Sequence, residues 1–100
     1  MTKQDFIAQL VEELKQHDVN VSNKTADIMI KSFVNVITNT VARNEKLAIN
    51  GFGTFEPAFR AARVGRNPAN GEALDVPAKY VPKFKAASAF KTLVNDSLQQ

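Results

Sequence analysis

Three arginines recur at intervals of three residues near the middle of the chain, at Arg60, Arg63 and Arg66. A guanidinium group keeps its charge and offers several N–H donors in a fixed plane, which suits phosphates and narrow negative grooves. Residues 60–85 carry six basic and two acidic side chains, whereas residues 1–50 carry equal numbers of each sign. Such clustering indicates an anionic partner. A charged surface with no partner is the alternative that charge alone leaves open.

A proline and a turn signal accompany these arginines in the stretch GRNPANGEA, residues 65–73. The flanking runs, 59–64 and 74–81, have strand character, and Asn70-Gly71 supplies two residues that tolerate positive φ. We therefore predict a two-stranded ribbon with about seven residues a side, extending on the order of 20–25 Å. Pro68, near its tip, is either a plain turn proline or an apolar wedge for a base step of a duplex.

Catalytic and metal-binding chemistry finds no support in the sequence. The chain has no cysteine, and its single histidine, His17, lies in a polar connection. Glu12 and Glu13 fall on adjacent faces of a predicted helix, so they cannot act as a facing pair. Gly51-Phe52-Gly53 lacks the third glycine and the following helix of a dinucleotide-binding loop. We expect no enzyme activity, no cofactor, no metal and no small-molecule substrate.

Apolar periodicity predicts three helices, roughly over 3–16, 23–43 and 86–98. Thr2 with Asp5, and Ser22, are the predicted N-terminal caps of the first two helices. Between the second and third helices we predict a short strand over 46–49, a turn, and a further strand from residue 53. Prolines mark edges, because they lack a ladder donor. Pro57 therefore argues against a central strand, and Pro77 and Pro82 indicate edge positions.

The second predicted helix is apolar over most of its girth. A helix of this kind must be covered on more than one side, and one other early helix in a short chain cannot do that. The sequence therefore predicts a homodimer, with these residues at the interface: Met29, Phe33, Val36 and Ile37.

The sequence shows no signal for membrane insertion or export. No apolar run approaches the roughly 20 residues that a membrane helix needs, and the N-terminus lacks the apolar segment of a signal peptide. The absence of cysteine fits a reducing compartment. We therefore expect a cytoplasmic protein with no membrane partner.

Four motifs in this order closely resemble the HU/IHF family of bacterial histone-like DNA-binding proteins, and the HU branch in particular. They are GFGTF at 51–55, RAAR at 60–63, GRNP-x-x-G at 65–71 and VP-x-F at 81–84. The resemblance implies an α+β fold forming an intertwined dimer, with a helical body, an antiparallel β-sheet saddle and two extended β-ribbon arms. It implies one domain over 1–100, divided into a helical dimerisation part (1–45), a sheet (46–85) with a DNA-binding arm at about 57–79, and a C-terminal helix (86–100).

The resemblance also assigns roles in DNA binding. Pro68 would be the intercalating wedge, Arg66 and Asn67 would be contacts at the arm tip, and Arg60 and Arg63 would line the arm. Lys3, Lys85 and Lys91 fall where the family has basic phosphate contacts. To these we add Lys79 and Lys83, which lie nearby in the sequence.

The implied function is an architectural, nucleoid-associated protein that binds double-stranded DNA through the minor groove, largely without sequence specificity, and bends or compacts it. A site-specific IHF-like bending factor is the alternative, as is a heterodimer with a paralogue. A dimeric protein-interaction module with no DNA role is the alternative of another class. The chain departs from the family at Glu72 and Asp75, in a returning arm strand that is usually basic, and at Ala87-Ser88, where the last helix often starts with Gly-Lys. Each change removes attraction or a phosphate contact, so we expect weaker non-specific affinity than that of a more basic relative.

Overall fold

The computed structural model describes residues 1–99, and the chain divides into two compact units, residues 1–38 and 39–100. Helix α1 spans Lys3–Lys15 in the first unit. Its N-terminus is held by reciprocal hydrogen bonds, in which Asp5 N donates to Thr2 Oγ1 (3.2 Å) and Thr2 N donates to Asp5 Oδ2 (3.0 Å). The hydrogen bond from the Thr2 backbone lowers the pKa of Asp5. The predicted cap is confirmed.

Helix α2 spans Asn23–Ala42 and begins in the first unit. Ser22 caps it, because Thr25 N donates to Ser22 Oγ at 3.1 Å. Asn44, with φ of 63°, lies just past its end in the left-handed conformation that terminates helices. Both ends therefore lie where the sequence predicted them, to within a residue.

Five strands and a third helix lie beyond α2. Strands β1 (Leu47–Ile49), β2 (Gly53–Arg60) and β5 (Lys79–Ala86) form an antiparallel sheet in the order β1-β2-β5. Strands β3 (Arg63–Arg66) and β4 (Ala73–Val76) pair with each other as a separate two-stranded ribbon. Helix α3 spans Ser88–Leu98. The α+β class is confirmed.

Pro57 corrects one expectation, since it lies in β2, the central strand. It stands opposite Pro82. Neither proline has an N–H, so this pair must occupy a ladder position whose amides would point away from the partner strand. On the side of β2 that faces β1, only residues 53–55 are paired. The N–H that Pro57 lacks would therefore have no acceptor strand beside it, and no ladder hydrogen bond is lost. Pro82 lies in the edge strand β5, as predicted.

Aromatic side chains pack against one face of the sheet. Phe84 lies 4.8 Å from Phe55 and 5.1 Å from Phe52 between ring centroids, and Phe52 stacks on Phe90 of α3 at 5.5 Å. A Cβ at Gly53 would lie 2.6 Å from the Phe84 ring. The GFGTF motif thus builds this cluster, with glycine required where the ring crosses the backbone. Within residues 1–99 the helices are all too short or too polar to cross a bilayer.

Candidate nucleic-acid interface

The pairing of β2 with β5 separates two chemically different faces of the sheet. Side chains alternate between the faces of a strand, and directly opposed residues share a face. One face, here called the basic face, carries four opposed pairs: Thr54–Lys85, Glu56–Lys83, Ala58–Val81 and Arg60–Lys79. The other carries Phe55–Phe84, Pro57–Pro82 and Phe59–Tyr80. The register therefore brings three predicted lysines and one predicted arginine onto a single surface.

The cations of the basic face have no anionic partner among residues 1–99. In this part of the chain, the lysines and arginines that form ion pairs are only Lys3, Lys15, Lys31, Arg43 and Lys46. Those five belong to the six basic residues of the first half, whereas all seven basic residues of the second half are outside any ion pair formed within residues 1–99. The positive charge of residues 60–91 is thus available to an external anion.

Glu56 is the acidic exception on this face. Its side chain is only 18% exposed, and its Oε2 lies 3.4 Å from Lys46 Nζ. Although Glu56 stands opposite Lys83 in the register, it pairs with the lysine that precedes β1. Lys83 therefore keeps its charge uncompensated.

The predicted continuous ribbon is interrupted. Pairing stops after Arg60 and Lys79 and resumes at Arg63 opposite Val76. Two residues intervene on each strand, so the register is the same on both sides and no bulge is inserted. Ala61-Ala62 and Pro77-Ala78 occupy the gap. Pro77 explains part of it, because it cannot donate to the ladder. We call residues 61–78 the arm.

The arm carries guanidinium groups on both of its faces. Arg63 and Arg66 are three residues apart in β3 and so point to opposite sides. A methyl group placed on Gly65 would lie 3.4 Å from Arg63 Nη1 and from a methyl carbon of Val76. The Arg63 side chain therefore lies along the ribbon over Gly65.

The tip is a closed loop of hydrogen bonds. Asn67 N donates to Glu72 O at 2.9 Å, and Gly71 N donates to Asn67 O at 2.7 Å. Asn67 Oδ1 accepts from Ala69 N at 2.9 Å, and Arg66 Nη1 donates to Gly71 O at 3.1 Å. Two of the predicted DNA contacts, Arg66 and Asn67, thus also build the tip itself.

The tip corrects one detail of the predicted turn. Of the Asn70-Gly71 pair, only Gly71 has positive φ, at 73°. Asn70 acts through its side chain instead, since Asn70 Oδ1 accepts from Glu72 N at 3.0 Å. This contact gives the loop its shape without a left-handed asparagine. Pro68 is exposed at the tip.

The remaining predicted DNA contacts lie outside the arm and the basic face. Lys3 belongs to the first unit, where its Nζ lies 2.9 Å from Asp27 Oδ1. Lys31 Nζ lies 3.0 Å from the other oxygen of the same carboxylate, and hydrogen bonds from Lys3 and then Lys31 lower the pKa of Asp27. Lys91 is exposed on α3. Lys3 would have to leave Asp27 to meet a phosphate, whereas Lys91 would not.

One feature of the interface is absent from the sequence-based prediction. Phe59 and Tyr80 pair across the strands at the base of the arm, with ring centroids 5.2 Å apart in an edge-to-face arrangement. They lie on the face opposite Arg60 and Lys79. The alternation of residues 57–60 signals this arrangement only once the register with 79–82 is known.

The predicted dimer residues lie on α2. Met29, Phe33 and Val36 are exposed and Ile37 is half-buried in the single chain. Ala26 is the one apolar side chain among residues 1–99 that is completely buried. In the same residues, no group of three histidine, cysteine or acidic side chains is placed to hold a metal ion.

Comparison with known proteins decides the family. The model of the bacterial DNA-binding protein family matches residues 1–95. The chain belongs to this family. It is 39% identical to the integration host factor subunit beta of Chromobacterium violaceum over 98% of this chain and 94% of that one. It is 40% identical to the corresponding Azoarcus subunit over 95% of this chain and 97% of that one.

Solved structures of HU proteins share the fold. A cocrystal structure of Anabaena HU with DNA has a TM-score of 0.83 and 33% identity, covering 94% of this chain and 97% of that one. A mutant HU from Thermotoga maritima has a TM-score of 0.63 and 26% identity, over 94% of this chain and 99% of that one. The HU/IHF assignment made from the motifs is therefore confirmed. The chain is a DNA-binding protein of an architectural family and not an enzyme.

Proposed function

We propose that this protein is a nucleoid-associated, cytoplasmic architectural factor that binds double-stranded DNA largely without sequence preference, through the minor groove, and bends it. The observation that best supports this proposal is that the cations with an ion-pair partner and those without one lie in different parts of the chain. The basic face and the arm hold six exposed cations outside any ion pair of residues 1–99: Arg60, Arg63, Arg66, Lys79, Lys83 and Lys85.

Charge distribution supports binding driven by phosphate. A cation already paired with a carboxylate must give up that partner before it meets a phosphate, whereas a free cation releases only counterions from the DNA. Each phosphate contact contributes about 0.9 to the slope of log affinity against log salt. The apolar residues between the arm cations, among them Val64 and Leu74, offer no hydrogen bonds to base edges, which agrees with a binder that reads little sequence.

The arm tip supports bending. Pro68 has few conformations of its own and is presented on a loop closed by hydrogen bonds, in which the Arg66 side chain donates and the side-chain oxygens of Asn67 and Asn70 accept. A preorganised apolar group loses little entropy when it enters a base step, and the kink allows more protein to contact the duplex. We assign Pro68 as the wedge, with Arg66 and Asn67 holding it in place as well as contacting DNA.

A homodimer is the assembly we propose. The single chain exposes 8112 Å², against about 5,600 Å² for compact monomers of this mass. The exposed apolar residues of α2, among them Met29 and Phe33, account for part of the excess. A second copy of the chain would cover them.

A site-specific factor is the second candidate, because the curated relatives with 36–40% identity are subunits of integration host factor. Selection of bound sequences from a pool of random duplexes separates the two candidates. A recurrent motif among the bound duplexes supports the IHF-like function, and its absence supports the HU-like one. A heterodimer is tested by co-expressing the chain with a paralogue and isolating the mixed species.

The main test measures fluorescence anisotropy of a labelled duplex of about three helical turns over a series of salt concentrations. We expect steep weakening with salt, and tighter binding to a nicked duplex than to an intact one, because a nick lowers the cost of bending. Arg60→Ala should reduce the salt slope by about 0.9 for each copy of the chain that binds the duplex. Lys15→Ala is the matched control, because Lys15 is paired with Glu12, and it should leave the slope unchanged. Absence of binding at the lowest salt contradicts the proposal.

Bending is tested separately with Pro68→Ala. Energy transfer between dyes at the two ends of the duplex should fall by more than the affinity does, because the phosphate contacts remain. Equal losses of bending and affinity would show that Pro68 is not a wedge.

A further inference from the structure

We propose that Asn50 is a site of spontaneous deamidation, and that this modification places a new carboxylate at the margin of the basic face. The chain has two Asn-Gly sequences, Asn50-Gly51 and Asn70-Gly71. In such a pair the glycine backbone nitrogen can attack the asparagine side chain, since no Cβ on the glycine blocks the approach. The structure protects one pair and leaves the other open.

The reaction needs only water and a base from the solvent. The glycine N–H loses its proton, the nitrogen bonds to Asn Cγ, and the Cγ–Nδ2 bond breaks with release of ammonia. The resulting five-membered imide then adds water at one of its two carbonyls, and the ring C–N bond at that carbonyl breaks. The products are aspartate or isoaspartate. One amide and one water thus become one carboxylic acid and one ammonia, and the acid ionises at neutral pH.

Asn70 is protected by the loop that forms the tip. The proton that must leave is the Gly71 N–H, which is donated to Asn67 O at 2.7 Å. The carbonyl that must be attacked is held as well, since Asn70 Oδ1 accepts from Glu72 N at 3.0 Å. Attack on Asn70 therefore requires that both hydrogen bonds open together.

Asn50 has neither restraint. The turn from β1 to β2 is closed by Phe52 N, which donates to Ile49 O at 3.0 Å, and this leaves Gly51 N without a hydrogen-bond partner in residues 1–99. The Asn50 side chain likewise has none there, and both residues are exposed. A Cβ would meet no atom within 4 Å at either Gly51 or Gly71, so the hydrogen bonds, and not crowding at the glycine, distinguish the two pairs.

The modification has a consequence for DNA binding, which rests on the proposed function. Asn50 is the first residue after β1, two residues beyond Ala48, which pairs with Thr54 on the basic face. A carboxylate there would repel phosphate and partly offset the attraction of Lys85, which pairs with the same Thr54. Deamidation would therefore weaken DNA binding progressively with the age of the protein molecule.

Peptide mass mapping of the intact protein during incubation in mildly alkaline buffer tests the modification itself. In the folded protein Asn50 should convert about tenfold faster than Asn70, as expected if hydrogen bonds must open at Asn70. In concentrated urea the two rates should become similar, because the tip no longer exists. Conversion of Asn70 at the same rate as Asn50, or faster, in the folded state overturns the proposal.

The functional consequence has its own readout. Asn50→Asp should bind duplex DNA about two- to fivefold more weakly than wild type, the size expected of one exposed charge. Asn50→Gln, which lacks the added charge, should bind as wild type does. Equal affinity of the two variants overturns the consequence. Failure of wild type to bind DNA at all overturns the proposed function, while the mass measurement still decides whether Asn50 is modified.

Discussion

At the scale of single residues, Gly53 shows why the motif GFGTF tolerates so little change. A Cβ there would lie 2.6 Å from the Phe84 ring and from the backbone oxygen of Lys85. The ring belongs to the aromatic cluster and the oxygen to a paired strand, so neither can move aside freely. By contrast, a Cβ at Gly65 in the arm would make only ordinary contacts, the shortest at 3.4 Å.

Gly53→Ala should therefore lower the free energy of unfolding by about 1–3 kcal/mol, the usual cost of overpacking a core. Gly65→Ala is the matched control, and it should change that free energy by less than about 0.5 kcal/mol. Urea denaturation followed by circular dichroism at one fixed protein concentration measures both. Equal effects of the two substitutions would show that the ring of Phe84 adapts.

Asp27 predicts a dependence of stability on pH. Its carboxylate oxygens form ion pairs with Lys3 at 2.9 Å and with Lys31 at 3.0 Å, and these two cations lower the pKa of Asp27 below the ordinary value of 3.8. A carboxyl with a lowered pKa in the folded state stabilises the fold above its unfolded pKa and loses that contribution as the pH falls through the folded one. The free energy of unfolding should therefore drop below pH 3.8. Asp27→Asn should make this drop shallower in denaturation curves recorded across acid pH, and an unchanged drop would contradict the assignment.

At the scale of the elements, the sequence predicts what depends on local patterns. Thr2, Ser22 and Asn44 mark helix ends because capping is decided within one turn of the chain. The sequence does not predict which strand is central, since Pro57 is tolerated only because β1 stops short of it. The order β1-β2-β5 depends on contacts between distant residues. The same limit explains why the cross-strand pair of Phe59 and Tyr80 escaped the prediction, although both residues lie in predicted strands.

The Phe59–Tyr80 pair should stabilise the base of the arm, because only two strands remain at that point to hold Arg60 beside Lys79. A double-mutant cycle with Phe59→Ala and Tyr80→Ala should give a coupling energy of about 0.5–1.5 kcal/mol, as edge-to-face aromatic pairs do elsewhere. Unfolding of the four proteins at equal concentration provides the values. Strictly additive effects would mean that the two rings do not support each other.

At the scale of the whole molecule, the single chain is short of buried apolar area. Many of its large hydrophobic side chains are exposed, from Phe6 in α1 to Leu98 in α3. Exposed apolar patches are typical of interaction sites, and we attribute this exposure to the dimer proposed above. The sequence indicated this through the apolar girth of α2, although it could not show that α1 and α3 also expose apolar residues.

Phe33→Glu should abolish the dimer we propose, because it places an unpaired charge where a buried aromatic ring is expected and removes a contribution of about 3–5 kcal/mol. Sedimentation equilibrium should show loss of the dimer, and the thermal midpoint should fall. Asn35→Glu adds the same charge on the opposite side of α2 and should leave the dimer intact. A dimer that survives Phe33→Glu would place the interface elsewhere.

The unchanged register on the two sides of the arm's gap gives the ribbon a pivot. Both strands skip the same number of residues, so the arm can tilt through changes in the backbone torsions of 61–62 and 77–78 alone. No strand pair is exchanged during such a movement, and Arg63 and Arg66 keep their spacing within the arm, while their distance from Arg60 changes. We therefore expect the arm, in the DNA complex proposed above, to follow the curvature of different duplexes, bent or straight, without rearranging its own arginines.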